Sequence, residues 1–196
     1  MSTLLPNVLS KYKRNSVFVE TGSYKGSGIQ VALDAGFEKV ISIEIHAGYH
    51  EICKTRFANE IASGKVELHL GDCLDTLKQI IPNLNHPATF WLDAHIDWEC
   101  GVSGKTPSPL IFELALLQNI APVKNHTILI DDMRVFRTKI GWGVYNPVGQ
   151  DEIEEAIRKI NPSYVIGYEP NTVQADDVLV AYIPCLLYTS PSPRDA

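Results

Sequence analysis

The sequence predicts an α/β protein with a mostly parallel sheet and helices on both faces. Three observations carry that expectation. Short apolar runs of strand formers alternate with stretches of helical spacing over five units. A glycine-rich turn joins the first run to the first helix, and several later runs end on a carboxylate. In sheets of this kind ligands sit beyond the C-terminal strand ends, where such acids collect.

The first strand is Val17–Val19, closed by Glu20, and Gly22, Gly26 and Gly28 follow before the helical run Ile29–Ala35. Glycines let the backbone approach a ligand, the helix N-terminus offers unpaired N–H groups, and a strand-tip acid accepts hydrogen bonds from hydroxyl or ammonium groups. A nucleotide-like occupant is expected, although glycines at a βα turn also serve simply to relieve sterics. The second strand, Lys39–Glu44, ends in an acid 24 residues beyond Glu20. That is where a nucleotide-binding βαβ unit places its ribose acceptor. Apolar residues at 49, 52, 53, 57, 58, 61 and 62 predict a single helix over Tyr49–Ala62, stopped by Ser63-Gly64.

Val66–Leu70 is the third strand, running into Gly71-Asp72-Cys73, and Leu74–Ile81 is a helix closed by Pro82. The fourth strand, Thr89–Asp93, is followed by Ala94-His95-Ile96-Asp97. A loop over 98–109 precedes the apolar helix Leu110–Ile120, and the fifth strand, Thr127–Ile130, enters Asp131-Asp132. After a loop over 133–149, the acidic helix Asp151–Ile160 leads to two further strands, Tyr164–Tyr168 and Val178–Ile183. No helix is expected before the first strand.

A chain of 196 residues, 45% apolar, suits one domain with a substantial core. That domain is expected over 1–184. The tail 185–196, containing Ser-Pro-Ser-Pro, is expected to be disordered and resembles a cloning or assembly scar. A net charge of −6, with no basic run beyond Lys11–Arg14, argues against nucleic acid or a membrane as partner. A small molecule remains as the expected partner, and the sequence is compatible with a homo-oligomer. The four cysteines form no Cys-x-x-Cys pair and read as reduced thiols. The N-terminus lacks a basic-then-apolar leader and no apolar run reaches the roughly 20 residues of a membrane span, so a cytoplasmic protein is expected.

Taken in order, Glu20-Thr-Gly22-Ser-Tyr-Lys-Gly26, Glu44, Gly71-Asp72 and Asp93 resemble the successive motifs of class I S-adenosylmethionine-dependent methyltransferases. The resemblance covers about residues 16–184. It implies a three-layer Rossmann-like sandwich whose seven-stranded sheet has its last strand antiparallel and inserted beside the fifth. It also implies that Glu20 and Gly22 lie against the methionine part of the cofactor, that Glu44 holds the ribose hydroxyls and that Asp72 meets the adenine amino group. Ser23, Gly26, Ile45, Cys73 and Asp93 complete the implied cofactor contacts.

In that fold the fourth and fifth strands are neighbours, which brings Asp93, Asp131 and Asp132 to one edge of the sheet. Like charges this close either raise a pKa or recruit a cation, and hard oxygen ligands suit Mg²⁺ or Ca²⁺ better than zinc. The arrangement resembles the metal-dependent O-methyltransferases of the catechol type and of the macrolide and aminocoumarin sugar type. In the sugar group the base lies just past the first ligand acid, the position of His95, which would take the proton of an acceptor hydroxyl. The chain departs from the catechol type in having only residues 1–16 before its first strand. The acceptor covers must then come from 98–109 and 133–149, which hold Trp98, Arg134, Arg137, Trp142 and Tyr145. The structural alternatives are that Asp131 or Asp132 caps the following turn and that His95 packs at the sheet edge.

Thr21-Gly22-x-x-x-Gly26-x-Gly28 also fits the turn of short-chain dehydrogenases, yet no tyrosine has a lysine four residues on. Glu20 would repel a pyrophosphate and welcome a sulfonium. A non-catalytic cofactor-binding protein would keep the glycine turn without requiring the acids.

Overall fold

The computed structural model describes residues 3–96, 101–138 and 148–184. At its centre lies a seven-stranded sheet of β1 (Val17–Thr21), β2 (Lys39–Glu44), β3 (Val66–Leu70), β4 (Thr89–Leu92), β5 (Thr127–Ile130), β6 (Val165–Glu169) and β7 (Val178–Tyr182). The strand order is β3-β2-β1-β4-β5-β7-β6. β1 to β5 are parallel, and β7 runs antiparallel between β5 and β6. This is the Rossmann-like arrangement expected. The chain builds outward from β1 through β2 to β3, then returns to lay β4 on the other side of β1. The resulting reversal of strand order opens a crevice at the carboxyl ends of β1 and β4.

β4 and β5 are buried along their whole length, whereas the edge strands β3 and β6 are only partly covered. Helices on both faces explain why the central strands read as unbroken apolar runs rather than alternating ones. On one face α1 (Pro6–Tyr12), α2 (Ser27–Asp34), α3 (Ala47–Arg56) and α4 (Ala58–Ala62) enclose Phe18, Trp91, Leu129 and Val180. On the other, α5 (Cys73–Ile80), α6 (Leu110–Ile120), α7 (Met133–Thr138) and α8 (Gln150–Ile160) enclose Val19, Phe90, Ile128 and Ile130. The stripe Ile153, Ile157 and Ile160 of α8 is buried in that second core with Leu114 and Leu117 of α6.

Three elements differ from the sequence expectation. The first is α1, which starts at Pro6, a residue preorganised for a first helical position, and buries Val8, Leu9 and Tyr12. Second, the helix expected over 49–62 is two helices, broken at Phe57 where the backbone leaves helical geometry (φ −111°, ψ 29°). The break seats the Phe57 ring beneath Gly26. Third, α7 occupies the start of the expected 133–149 loop. Its first turn is capped from far along the chain: Met133 N–H donates to the Asp177 carbonyl (2.9 Å) and Arg134 N–H to Asp177 Oδ1 (2.7 Å). Residues 139–147 and the tail 185–196 lie outside the described residues.

The Phe57 seat gives a direct check. Gly26 has φ +82°, and a Cβ there would lie 2.5 Å from Phe57 Cε2, whereas Gly64 has φ +77° with nothing near a Cβ. Gly64→Ala therefore meets backbone strain alone, about 1–2 kcal/mol. Gly26→Ala adds a steric term and should lower the thermal midpoint clearly further; equal shifts would show that the ring yields freely.

Candidate active site

A cleft of about 410 Å³ opens at the carboxyl ends of β1, β2, β4 and β5. Its floor is the turn after β1. The backbone N–H groups of Gly22 and Ser23 both donate to the Ile43 carbonyl (3.0 and 3.2 Å), which ties the turn to the end of β2. Gly22 sits at φ +86°, and a Cβ there would lie 2.8 Å from the Asp93 carbonyl oxygen, so only glycine lets β1 pass this close to the end of β4. Beyond it, the buried carboxylate of Glu44 accepts N–H bonds from Tyr24 and His46, each at 2.7 Å. These two bonds fix its plane while leaving lone pairs for a ligand.

At the far end of the cleft, Asp72 Oδ1 caps α5 through the Leu74 N–H (2.9 Å) and Oδ2 accepts the Lys105 N–H (2.7 Å). Gly104 packs against the same carboxylate, and a Cβ there would run into Oδ2. The 101–109 loop is thus seated on Asp72, beside Ile45 and Cys73 on the cleft wall.

The opposite end is acidic. His95 Nε2 lies 3.9 Å from Asp93 Oδ1 and 3.6 Å from Asp132 Oδ2, with Nδ1 2.8 Å from the Ile96 carbonyl. Nδ1 must donate to that carbonyl, which turns Nε2 toward the two acids. Asp132 adopts φ +60°, a conformation costly for a residue with a side chain, and pairs with Arg134 Nη1 at 2.7 Å. The same Nη1 reaches the fully buried Asp177. Asp131 accepts from Thr3 Oγ1 on one oxygen and from Asn171 Nδ2 (2.9 Å) on the other. Burial holds Asp93 well above the usual carboxylate range, reinforced by Asp131, Asp132 and Glu20. Burial and then Asp132 also raise Asp131, with Thr3 and Asn171 opposing. Among the described residues two groups bring their ligating atoms within 4.8 Å of one another: Asp93, His95 and Asp132, and Asp131, Asp132 and Asp177.

Of the residues singled out in the sequence, Gly22, Glu44, Ile45, Asp72, Cys73, Asp93, His95, Asp131 and Asp132 share the cleft. Glu20, Ser23 and Gly26 do not line it. Glu20 turns beneath the turn to accept from Ser42 Oγ (2.6 Å), which also meets Ser23 Oγ (2.5 Å). The first turn of α7 is capped by Asp177 rather than by the side chain of Asp131 or Asp132. Arg134 lines the cleft, while Arg137 stacks over Tyr168 (4.9 Å) and reaches Gln150. Asp97, Trp98, Trp142 and Tyr145 lie outside the described residues. Thr3, Asn171, Asp177 and the loop over Asp72 are site residues that the sequence did not reveal. Their partners lie tens of residues away, beyond any local pattern.

Two carboxyls are sealed under the cleft. Burial pushes Glu20 up to about 8, with Glu44 adding to the shift and the Ser42 hydroxyl opposing it; its Oε1 has no hydrogen-bond partner. On the other side of β1, Glu113 of α6 is raised to about 7 by burial, only partly offset by the neighbouring Thr21 and Cys73. Neither of its oxygens makes a hydrogen bond of normal geometry.

No protein-family model matches the sequence, and no curated protein sequence matches it. Solved structures share the fold. An O-methyltransferase of tomaymycin synthesis from Streptomyces achromogenes, in complex with S-adenosylmethionine, is 14% identical with a TM-score of 0.55, over 91% of this chain and 77% of that one. An O-methyltransferase from Bacillus cereus, in complex with S-adenosylhomocysteine, is 14% identical with a TM-score of 0.56, over 91% and 78%. A methyltransferase of Podospora anserina bound to S-adenosylhomocysteine is 15% identical with a TM-score of 0.59, over 91% and 76%. The chain therefore has the Rossmann-like fold that these methyltransferases share.

The sealed carboxyls carry a pH signature. A carboxyl raised from 4.5 in the unfolded chain to about 7 in the fold binds its proton more tightly when folded. Its stabilising effect is complete below the unfolded value and is lost as pH rises through the folded one. Stability should accordingly fall between about pH 4.5 and 8 in chemical denaturation, and Glu113→Gln should flatten part of that fall. An unchanged slope in the variant would mean that Glu113 is ionised in the fold.

Proposed function

We propose that the protein is an S-adenosylmethionine-dependent methyltransferase that transfers the methyl group to a hydroxyl of a small metabolite, assisted by a divalent cation. The observation that carries the reading is the pairing of two half-sites in one cleft: a glycine turn beside the fixed carboxyl of Glu44, and an acidic cluster where β4 and β5 end. The residues present fit both groups. Glu44 offers fixed lone pairs to ribose hydroxyls, and Gly22, packed against the Asp93 carbonyl, keeps the turn low on the cleft wall. The Glu44 carboxyl on the cleft wall suits a sulfonium better than a pyrophosphate, which weighs against the dehydrogenase alternative. Among the described residues no helix is long and apolar enough to cross a membrane.

For the cation, the three acids expected as one ligand set fall into two groups that share Asp132, with Asp93 in one and Asp131 in the other; magnesium is the ion that such hard oxygen donors suit best. A bound divalent ion would lower the pKa of an acceptor hydroxyl. The chain's own residues do the rest. Gly22 and Glu44 set the position of the cofactor, Asp93 and Asp132 hold the acceptor edge, and His95 Nε2 takes the hydroxyl proton as the methyl group passes from sulfur to oxygen. With Nδ1 committed to the Ile96 carbonyl, Nε2 has one lone pair and cannot be both base and ligand. Its place among Asp93 and Asp132 gives the ligand role a specific rival claim.

The test is turnover of a panel of hydroxylated acceptors. Chelation should abolish it with cofactor binding retained, and magnesium should restore it. His95→Ala should lower kcat by a factor on the order of 10² or more if it is the base, with Mn²⁺ affinity unchanged. Loss of Mn²⁺ binding in the variant would make His95 a ligand. Chelator-insensitive turnover, with activity intact in Asp132→Ala, would remove the cation and leave positioning as the main source of rate.

A further inference from the structure

We infer that Thr3 is a positioning residue of the acidic cluster, through which the amino-terminal segment holds Asp131 in the orientation that a cation between Asp131 and Asp132 requires. The inference rests on the cation reading above and adds to it a residue 128 positions away from the acid it serves.

Thr3 is placed from both sides. Its carbonyl accepts the Thr172 N–H at 3.1 Å, and the next residue, Leu4, is buried in the core that α1 covers. Between these anchors the hydroxyl donates to Asp131 Oδ2, while Asn171, one residue before Thr172, donates to Oδ1. A carboxylate held through both oxygens has its plane fixed, and each oxygen keeps a second lone pair for a ligand. Asn171 gives one amide N–H to Asp131 (2.9 Å) and the other to the buried Asp177 (2.7 Å), while the hydroxyl of Thr3 goes to Asp131. Arg134, the cation nearest the cluster's inner side, is spent on Asp132 and Asp177. Thr3 also lines the cleft, so its hydroxyl acts at the site wall and not through the core. The next residue after Asp131 is the strained Asp132 at φ +60°, which makes the aim of the acid pair sensitive to how Asp131 is held. Carboxylates that ligate metals depend on such outer hydrogen bonds for their orientation.

The experiment is a Mn²⁺ titration followed by electron paramagnetic resonance on the full chain, with S-adenosylhomocysteine affinity and melting temperature measured alongside. Thr3→Val keeps the shape and the backbone bond to Thr172 and removes only the hydroxyl; Thr3→Ser restores the hydroxyl. Thr3→Val should weaken Mn²⁺ binding by about 10-fold to 100-fold, the usual scale for an outer hydrogen-bond partner. Thr3→Ser should bind like the wild type, and S-adenosylhomocysteine affinity should be the same in all three. Wild-type Mn²⁺ affinity in Thr3→Val overturns the inference and leaves the cation reading standing. So does equal weakening in Thr3→Ser, or a parallel loss of S-adenosylhomocysteine affinity, since either makes the role of Thr3 structural. A wild type that binds no Mn²⁺ overturns the cation reading and this inference with it.

Discussion

The close pass of β1 over the end of β4 is the constraint on which the site depends. Gly22 crosses against the Asp93 carbonyl with no room for a Cβ, in a backbone region that other residues enter only under strain. That contact sets the distance between the two halves of the cleft. On one side of it the end of β2 presents Glu44, and on the other the chain leaves β4 into Asp93 and His95. A larger residue at Gly22 would have to move one strand end against the other, and backbone atoms cannot give way as a flexible side chain can. The reversal of strand order between β1 and β4 supplies the crevice; this glycine brings its walls within reach of one small ligand.

Electrostatics gives the cleft its direction. Glu20 and Glu113 lie on opposite sides of β1, both out of water and both with raised pKa values because burial penalises their charged forms. At the acidic end Arg134 bridges Asp132 and Asp177, and His95 faces Asp93 and Asp132. Asp93 and Asp131 both have raised pKa values, through burial first and the neighbouring acids next. A fold maintains such crowding at a cost, and acids with raised pKa values lining a cleft mark a candidate functional site. Cationic character in whatever occupies the cleft would relieve it.

The central strands were legible because helices cover both faces, which makes runs such as Thr127–Ile130 continuously apolar, and Glu44 was legible from its spacing beyond Glu20. The acid pair after β5 was legible as residue types, but not its support. Asp177 caps α7 and Asn171 and Thr3 hold Asp131 across separations of 40 or more positions, in contacts that leave no local pattern. The break at Phe57 was hidden for a different reason. Its apolar spacing suits one long helix as well as two short ones sharing a face, and what decides is the seat under Gly26. Glu113 reads in sequence like an ordinary helical acid; its burial follows from facing Thr21 of β1 and Cys73 of α5.

The central claim is that the Gly22 turn and Glu44 form a site for a cationic adenosyl cofactor. Isothermal titration calorimetry with S-adenosylmethionine, S-adenosylhomocysteine and NADP⁺ tests it most directly, on the wild type and on Glu44→Gln. The account predicts binding of both adenosyl compounds and much weaker binding of NADP⁺. It also predicts a loss of affinity in Glu44→Gln, because the ribose hydroxyls lose a charged acceptor. Equal or tighter NADP⁺ binding by the wild type, or undiminished adenosyl binding in the variant, would contradict it.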